Sequence, residues 1–96
     1  MVKATKVEGK PRRYEFGGRV TVAGVECDAV EIKTVQAKGM ERFELDLLSY
    51  DQVVDAETQE VVPTVNRVKA VHALTARKGF WTDVRFLKQF GVEVEA

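Results

Sequence analysis

The chain carries one histidine, His72, and one cysteine, Cys27. Brought together they could form a nucleophile–base pair, with imidazole taking the thiol proton and a carboxylate orienting the ring. Their surroundings argue against it. Asp28 beside Cys27 raises a thiol pKa rather than lowering it, and no signature of cysteine catalysis flanks the position. Cys27 stands in an alternating run, where a small buried apolar role is the usual one. His72 flanks Val68 and Thr75 at the border of an apolar stripe, the place of a packed or edge histidine. One His and one Cys with no clustered partners fall short of a closed zinc site.

Carboxylates are plentiful at Glu26, Asp28, Glu31, Glu41, Glu44 and Asp46. General acid–base work needs two of them in a cleft with separated pKa values. Here they alternate with apolar residues, the pattern of a strand's solvated face. Gly17-Gly18 precedes a strand and lacks both the lysine and the following helix of a phosphate-binding loop. The sequence therefore predicts no catalytic residue, no metal and no cofactor.

Basic and aromatic side chains are the remaining candidates. Lys3, Lys6, Lys10, Arg12 and Arg13 load the first stretch, and Arg77, Lys78, Trp81, Arg85, Lys88 and Gln89 cluster late. Together they form the candidate surface for a partner protein or for a phosphate backbone. In Lys78–Phe86 a few residues match the signature strand of the RNA-recognition motif. Trp81 stands where a small residue belongs and the required strand–helix order is missing, so no family is assigned. Phe80 and Trp81 are expected to cap the core.

These residues need elements to position them. Asn66–Gly79 reads as the one long helix, with Asn66 as its N-cap, Arg77 and Lys78 in the last turn and Gly79 closing it. Val68, Val71, Leu74 and Thr75 then share one face. A strand competes, because Val68, Ala70, His72, Leu74 and Ala76 also alternate. Gly79–Thr82 reads as a short link, with Thr82 or Asp83 capping a second helix, Asp83–Phe90, that Gly91 stops. Its apolar arc of Val84, Phe86, Leu87 and Phe90 leaves Arg85, Lys88 and Gln89 outside.

Upstream, Ala4–Glu8 reads as a tail or edge strand, and Gly17-Gly18 as a turn. Arg19–Ala23 is a strand with a tight turn at Ala23-Gly24. Val25–Gln36 switches its apolar parity, which calls for a bulge. Lys38-Gly39 turns into Glu41–Leu47, with Phe43, Leu45 and Leu47 inward and Arg42, Glu44 and Asp46 in water. Asp51–Val54 and Glu60–Val65 frame a hairpin whose Asp55 and Thr58 can bond nearby amides. Val92–Val94 adds a last strand.

The expected fold is α+β: an antiparallel β-meander of five or six strands, with scope for partial closure into a barrel, packed by one long and one short C-terminal helix. One domain spans 1–96: a basic tail or edge strand over 1–13, an acidic meander over 14–65, a helix pair over 66–90 and a final strand or tail over 91–96. Charge is blocked accordingly. Residues 1–19 carry six basic and two acidic side chains, 20–65 three and ten, and 66–96 six and three, for a net of zero. The blocks should attract one another when packed. At 45% hydrophobic and 31% charged the composition is that of an ordinary globular protein. No run reaches a membrane span, no secretory leader opens the chain and a single cysteine suits a reducing cytoplasm. The expectation is a non-enzymatic binding or structural module acting through contacts with another protein or copies of itself. It would serve as an assembly subunit or a small inhibitor, with nucleic-acid binding as the alternative.

Overall fold

The computed structural model describes residues 1–37, 40–59, 61–69 and 80–95. Alternating apolar side chains put most of them into strands: β1 (Val2–Lys6), β2 (Arg13–Val22), β3 (Val25–Ala37), β4 (Met40–Val54), β5 (Val61–Lys69) and β6 (Val92–Glu95). Helix α1 (Phe80–Lys88) lies between β5 and β6 in the chain. The strands form one open sheet in the order β5-β4-β3-β2-β1-β6. Neighbours from β1 to β5 run antiparallel, whereas β6 runs parallel to β1. The class is α+β, as expected. The sheet is mixed and open rather than a purely antiparallel meander or a partly closed barrel, and among the described residues there is one short helix.

The largest departure concerns the expected long helix. Asn66–Lys69 belong to β5, where Asn66 pairs with Leu47, Arg67 with Asp46, Val68 with Leu45 and Lys69 with Glu44. β4 offers an edge already carrying Leu45 and Leu47, and the strand pattern of Val68 fits it better than a helical one. The rest of that expected helix, including Val71, His72, Leu74 and Gly79, lies outside the described residues, as does the Lys38-Gly39 turn. The second helix already includes Phe80, so Thr82 and Asp83 sit within it rather than at its start. Gly91 does end it, at φ 77°, and its carbonyl accepts from the Val2 amide at 2.9 Å. That bond seats β1 beside β6 and makes the expected tail or edge strand an interior one.

Ala23-Gly24 forms the expected two-residue turn, both at positive φ, with Val22 opposite Val25. Gly17-Gly18 is not a turn. β2 runs through it with a shift in register between Glu15 and Val20, and Gly17 takes φ 75° there. Cys27 and Val30, three residues apart, join the same core, which is the expected parity switch in β3. Asp55 holds the β4–β5 hairpin, its Oδ1 accepting from the Glu57 and Thr58 amides at 2.8 and 3.2 Å.

One face of the sheet carries the core. Tyr14, Val30 and Leu47 form a row across β2, β3 and β4, with Ile32 and Leu45 in the next and Thr34 and Phe43 beyond. α1 closes this face with Phe86 and Leu87, and Phe86 meets Phe43 edge-on at 5.2 Å. No helix of the described residues is long and apolar enough to cross a membrane. Phe86→Ala removes this anchor and is expected to cost about 3–5 kcal/mol in urea unfolding. A loss under about 1 kcal/mol would show that α1 is not seated by that ring.

Candidate functional site

The loop between β1 and β2 is tight: the Val7 amide donates to the Arg13 carbonyl at 2.9 Å. Arg12 closes it at φ 61°, a left-handed conformation that costs a side-chain-bearing residue roughly 1–2 kcal/mol. Three anchors hold it there. Its carbonyl accepts from the Ile32 amide at 3.1 Å. Its guanidinium donates through Nε and Nη2 to the two oxygens of Asp83, both at 2.9 Å. Nη1 donates to Thr34 Oγ1 at 2.5 Å, and the group lies 4.7 Å from the centre of the Phe43 ring. Asp83 is itself buried in the first turns of α1, so this fork ties the helix to the far end of the chain.

Beside the fork opens a cleft of about 270 Å³ lined by Lys6, Pro11, Arg12, Tyr14, Thr34, Phe43, Phe80 and Asp83. Tyr14 is 1% exposed. Burial pushes its phenol pKa up, the Asp83 charge adds to that and Arg12 opposes it, so the hydroxyl is neutral at physiological pH.

On the outer side of α1, Trp81 is 76% exposed and Phe80 42%, their rings edge-on at 5.5 Å. This corrects the expectation that they cap the core. Arg85 and Lys88 follow at one and two turns, so Trp81, Arg85 and Lys88 share an exposed stripe with exposed Gln89 at its end.

The other expected surface residues are scattered. Lys3 is on the opposite sheet face, 3.8 Å from Glu95, and Arg13 also faces that way, donating to Glu31 at 2.8 Å. Lys6 reaches the cleft, Lys10 is exposed in the loop, and Arg77 and Lys78 lie outside the described residues. Lys6 and Arg12 come together; Lys3 and Arg13 do not join them. The sequence reading missed Asp83, Tyr14, Thr34, Phe43 and Phe80 as a set. One signal was present: Asp83 falls on the same helical face as Phe86, Leu87 and Phe90, where a carboxylate must find a cation.

The opposite face is a lattice of charges. Arg13, Glu31, Asp46 and Arg67 lie in direct register across β2, β3, β4 and β5. Arg67 donates to Asp46 at 2.8 and 3.3 Å, and Lys33 approaches Glu31 at 2.6 Å. Asp46, expected in water, is 3% exposed beneath Arg67. Across the sheet Arg19 bridges Asp28 at 2.8 Å and Asp51 at 2.9 Å. The basic first block and the acidic middle block do attract, as their composition implied. Cys27, next to Asp28 in β3, is fully buried in the core, and burial foremost, with that carboxylate, pushes its thiol pKa up. Among the described residues no group of three or more His, Cys, Asp or Glu is placed to hold a metal ion.

Comparison with family models, curated proteins and solved structures finds no match for this chain.

Burial pushes Glu31 up, but hydrogen bonds from Lys33 and Arg13 outweigh it and hold its pKa below its ordinary 4.5. Hydrogen bonds from Arg19 and the Tyr50 amide lower Asp28 from 3.8. Both groups lose a proton more readily folded than unfolded, so their stabilisation is present above those ordinary values and lost as pH falls through the folded ones. Urea midpoints should therefore drop as pH is lowered from 5 to 3, and Glu31→Gln should flatten that slope. An unchanged slope in the variant would contradict the assignment.

Proposed function

We propose that this chain is a non-catalytic protein-binding module whose contact surface is the outward side of α1. The observation that carries the reading is Trp81, 76% exposed beside Phe80 at 42%, whereas the exposed Tyr50 donates its hydroxyl to Glu15 within the fold. Exposed large apolar side chains in a cluster mark contact sites, and Trp and Arg are both enriched among the residues that anchor protein interfaces. Arg85 and Lys88 beside them favour a partner whose facing surface is acidic. The buried thiol of Cys27 supports a role without nucleophilic chemistry. Within this reading the chain is a subunit of a larger assembly or a small inhibitor, working in a reducing compartment.

Nucleic acid is the second reading, favoured by Trp81, Arg85 and Lys88 on one stripe, where a base could stack between cations. Against it, Lys3, Arg12 and Arg13 are engaged by Glu95, Asp83 and Glu31 and do not extend that stripe.

Trp81→Ala should leave the urea midpoint within about 0.5 kcal/mol of the parent, because the ring packs little. The same variant should weaken a purified partner, isolated with the parent chain from its native source, by roughly thirtyfold, the 2 kcal/mol of an anchor residue. Calorimetry measures it. Undiminished affinity would remove α1 as the contact surface, and tight, steeply salt-dependent binding of single-stranded nucleic acid would favour the second reading.

A further inference from the structure

The cleft beside Arg12 has features that the outward face of α1 does not use. Its lining combines the apolar Phe43, Phe80 and Pro11 with the polar Lys6, Arg12, Tyr14, Thr34 and Asp83. Three of those polar groups are satisfied by one another, since Arg12 donates to Asp83 and Thr34. Tyr14 is different. Its ring is packed into the core and almost wholly buried, yet its hydroxyl makes no hydrogen bond to any described residue, and the residue forms part of the cleft wall. Since no buried side-chain polar atom of the described residues lacks a partner, that hydroxyl meets the solvent of the cleft, where it is free to donate to a bound partner.

The charges select what that partner can be. Lys6 and Arg12 face one carboxylate, Asp83, leaving a single uncompensated positive charge at the cleft. Of the five N–H groups of a guanidinium, three are used by Asp83 and Thr34, and two are left. A dianion would set its second charge against Asp83, whereas a monoanion matches the balance. The volume of about 270 Å³ is at the lower bound of ligand pockets, room for a fragment-sized molecule.

We propose that the cleft binds a small organic monoanion, a carboxylate on an aromatic or branched apolar body. The carboxylate accepts from the Tyr14 hydroxyl, the Lys6 ammonium and the spare N–H groups of Arg12, and the body lies between Phe43, Phe80 and Pro11. This site shares Phe80 with the protein-contact reading but not its anchor, because Trp81 forms no part of the cleft wall.

The probe is phenylacetate, titrated into the full chain labelled with nitrogen-15 and followed by amide chemical shifts. Saturable shifts centred on Tyr14, Thr34, Phe43 and Phe80 are expected, with a Kd of about 1 mM for so small a ligand. Phenylacetamide, neutral but of the same shape, should bind at least about tenfold more weakly, and so should phenylacetate to Tyr14→Phe or to Lys6→Gln. Trp81→Ala should bind phenylacetate unchanged, which keeps this result apart from the fate of the α1 surface. The urea midpoint of Tyr14→Phe should match that of the parent, because the hydroxyl holds nothing in the fold. Absence of saturation, shifts centred elsewhere, equal affinity for the amide, undiminished binding by Tyr14→Phe, or a marked loss of its stability would each overturn the proposal.

Discussion

A single fork of hydrogen bonds, from the Arg12 guanidinium to the Asp83 carboxylate, joins residues 71 positions apart. Both partners are constrained by what surrounds them. Asp83 is buried on the inner face of α1 and needs a cation, and Arg12 is held in a left-handed turn by its carbonyl bond to Ile32. The bidentate geometry is one that lysine cannot reproduce. The fork fixes the height and rotation of α1 over the sheet. That placement turns Phe86 and Leu87 inward, leaves Trp81 in solvent and opens the cleft beside Tyr14. The exposed side of α1 and the cleft beside Tyr14 are thus two products of one constraint.

The sheet's two faces divide the physical tasks. The face under α1 is apolar, and its stability comes from burial of rings and branched side chains. The other face pairs basic residues from the chain's ends with acidic residues from its middle, as in the row Arg13, Glu31, Asp46 and Arg67. Ion pairs at partly exposed positions add modestly to stability; here the native register sets Glu31 opposite Asp46, and Arg13, Lys33 and Arg67 offset that like-charge pair.

Strand periodicity was the clearest information in the sequence. Phe43, Leu45 and Leu47, the Ala23-Gly24 turn, the Asp55 hairpin, the parity switch between Cys27 and Val30 and the Gly91 stop were all legible, because each follows from local chemistry. Asn66–Lys69 were not, since their caps and alanine-rich sequel favour helix locally while the exposed edge of β4 recruits them as a strand. β1 looked like a tail or an edge because β6, its partner on the side away from β2, is almost the whole chain away. The cleft was the least legible feature. Lys6, Arg12, Thr34 and Asp83 each look like ordinary surface residues, and only long-range pairing brings them together. Asp83 within an apolar helical arc was the one hint.

The most direct test of this account is a double-mutant cycle on Arg12→Ala and Asp83→Ala, read by urea unfolding. A coupling energy of about 2 kcal/mol is expected, between that of exposed pairs and that of fully buried ones. Coupling below about 0.5 kcal/mol would mean that the two residues act independently and that α1 is positioned by its apolar contacts alone.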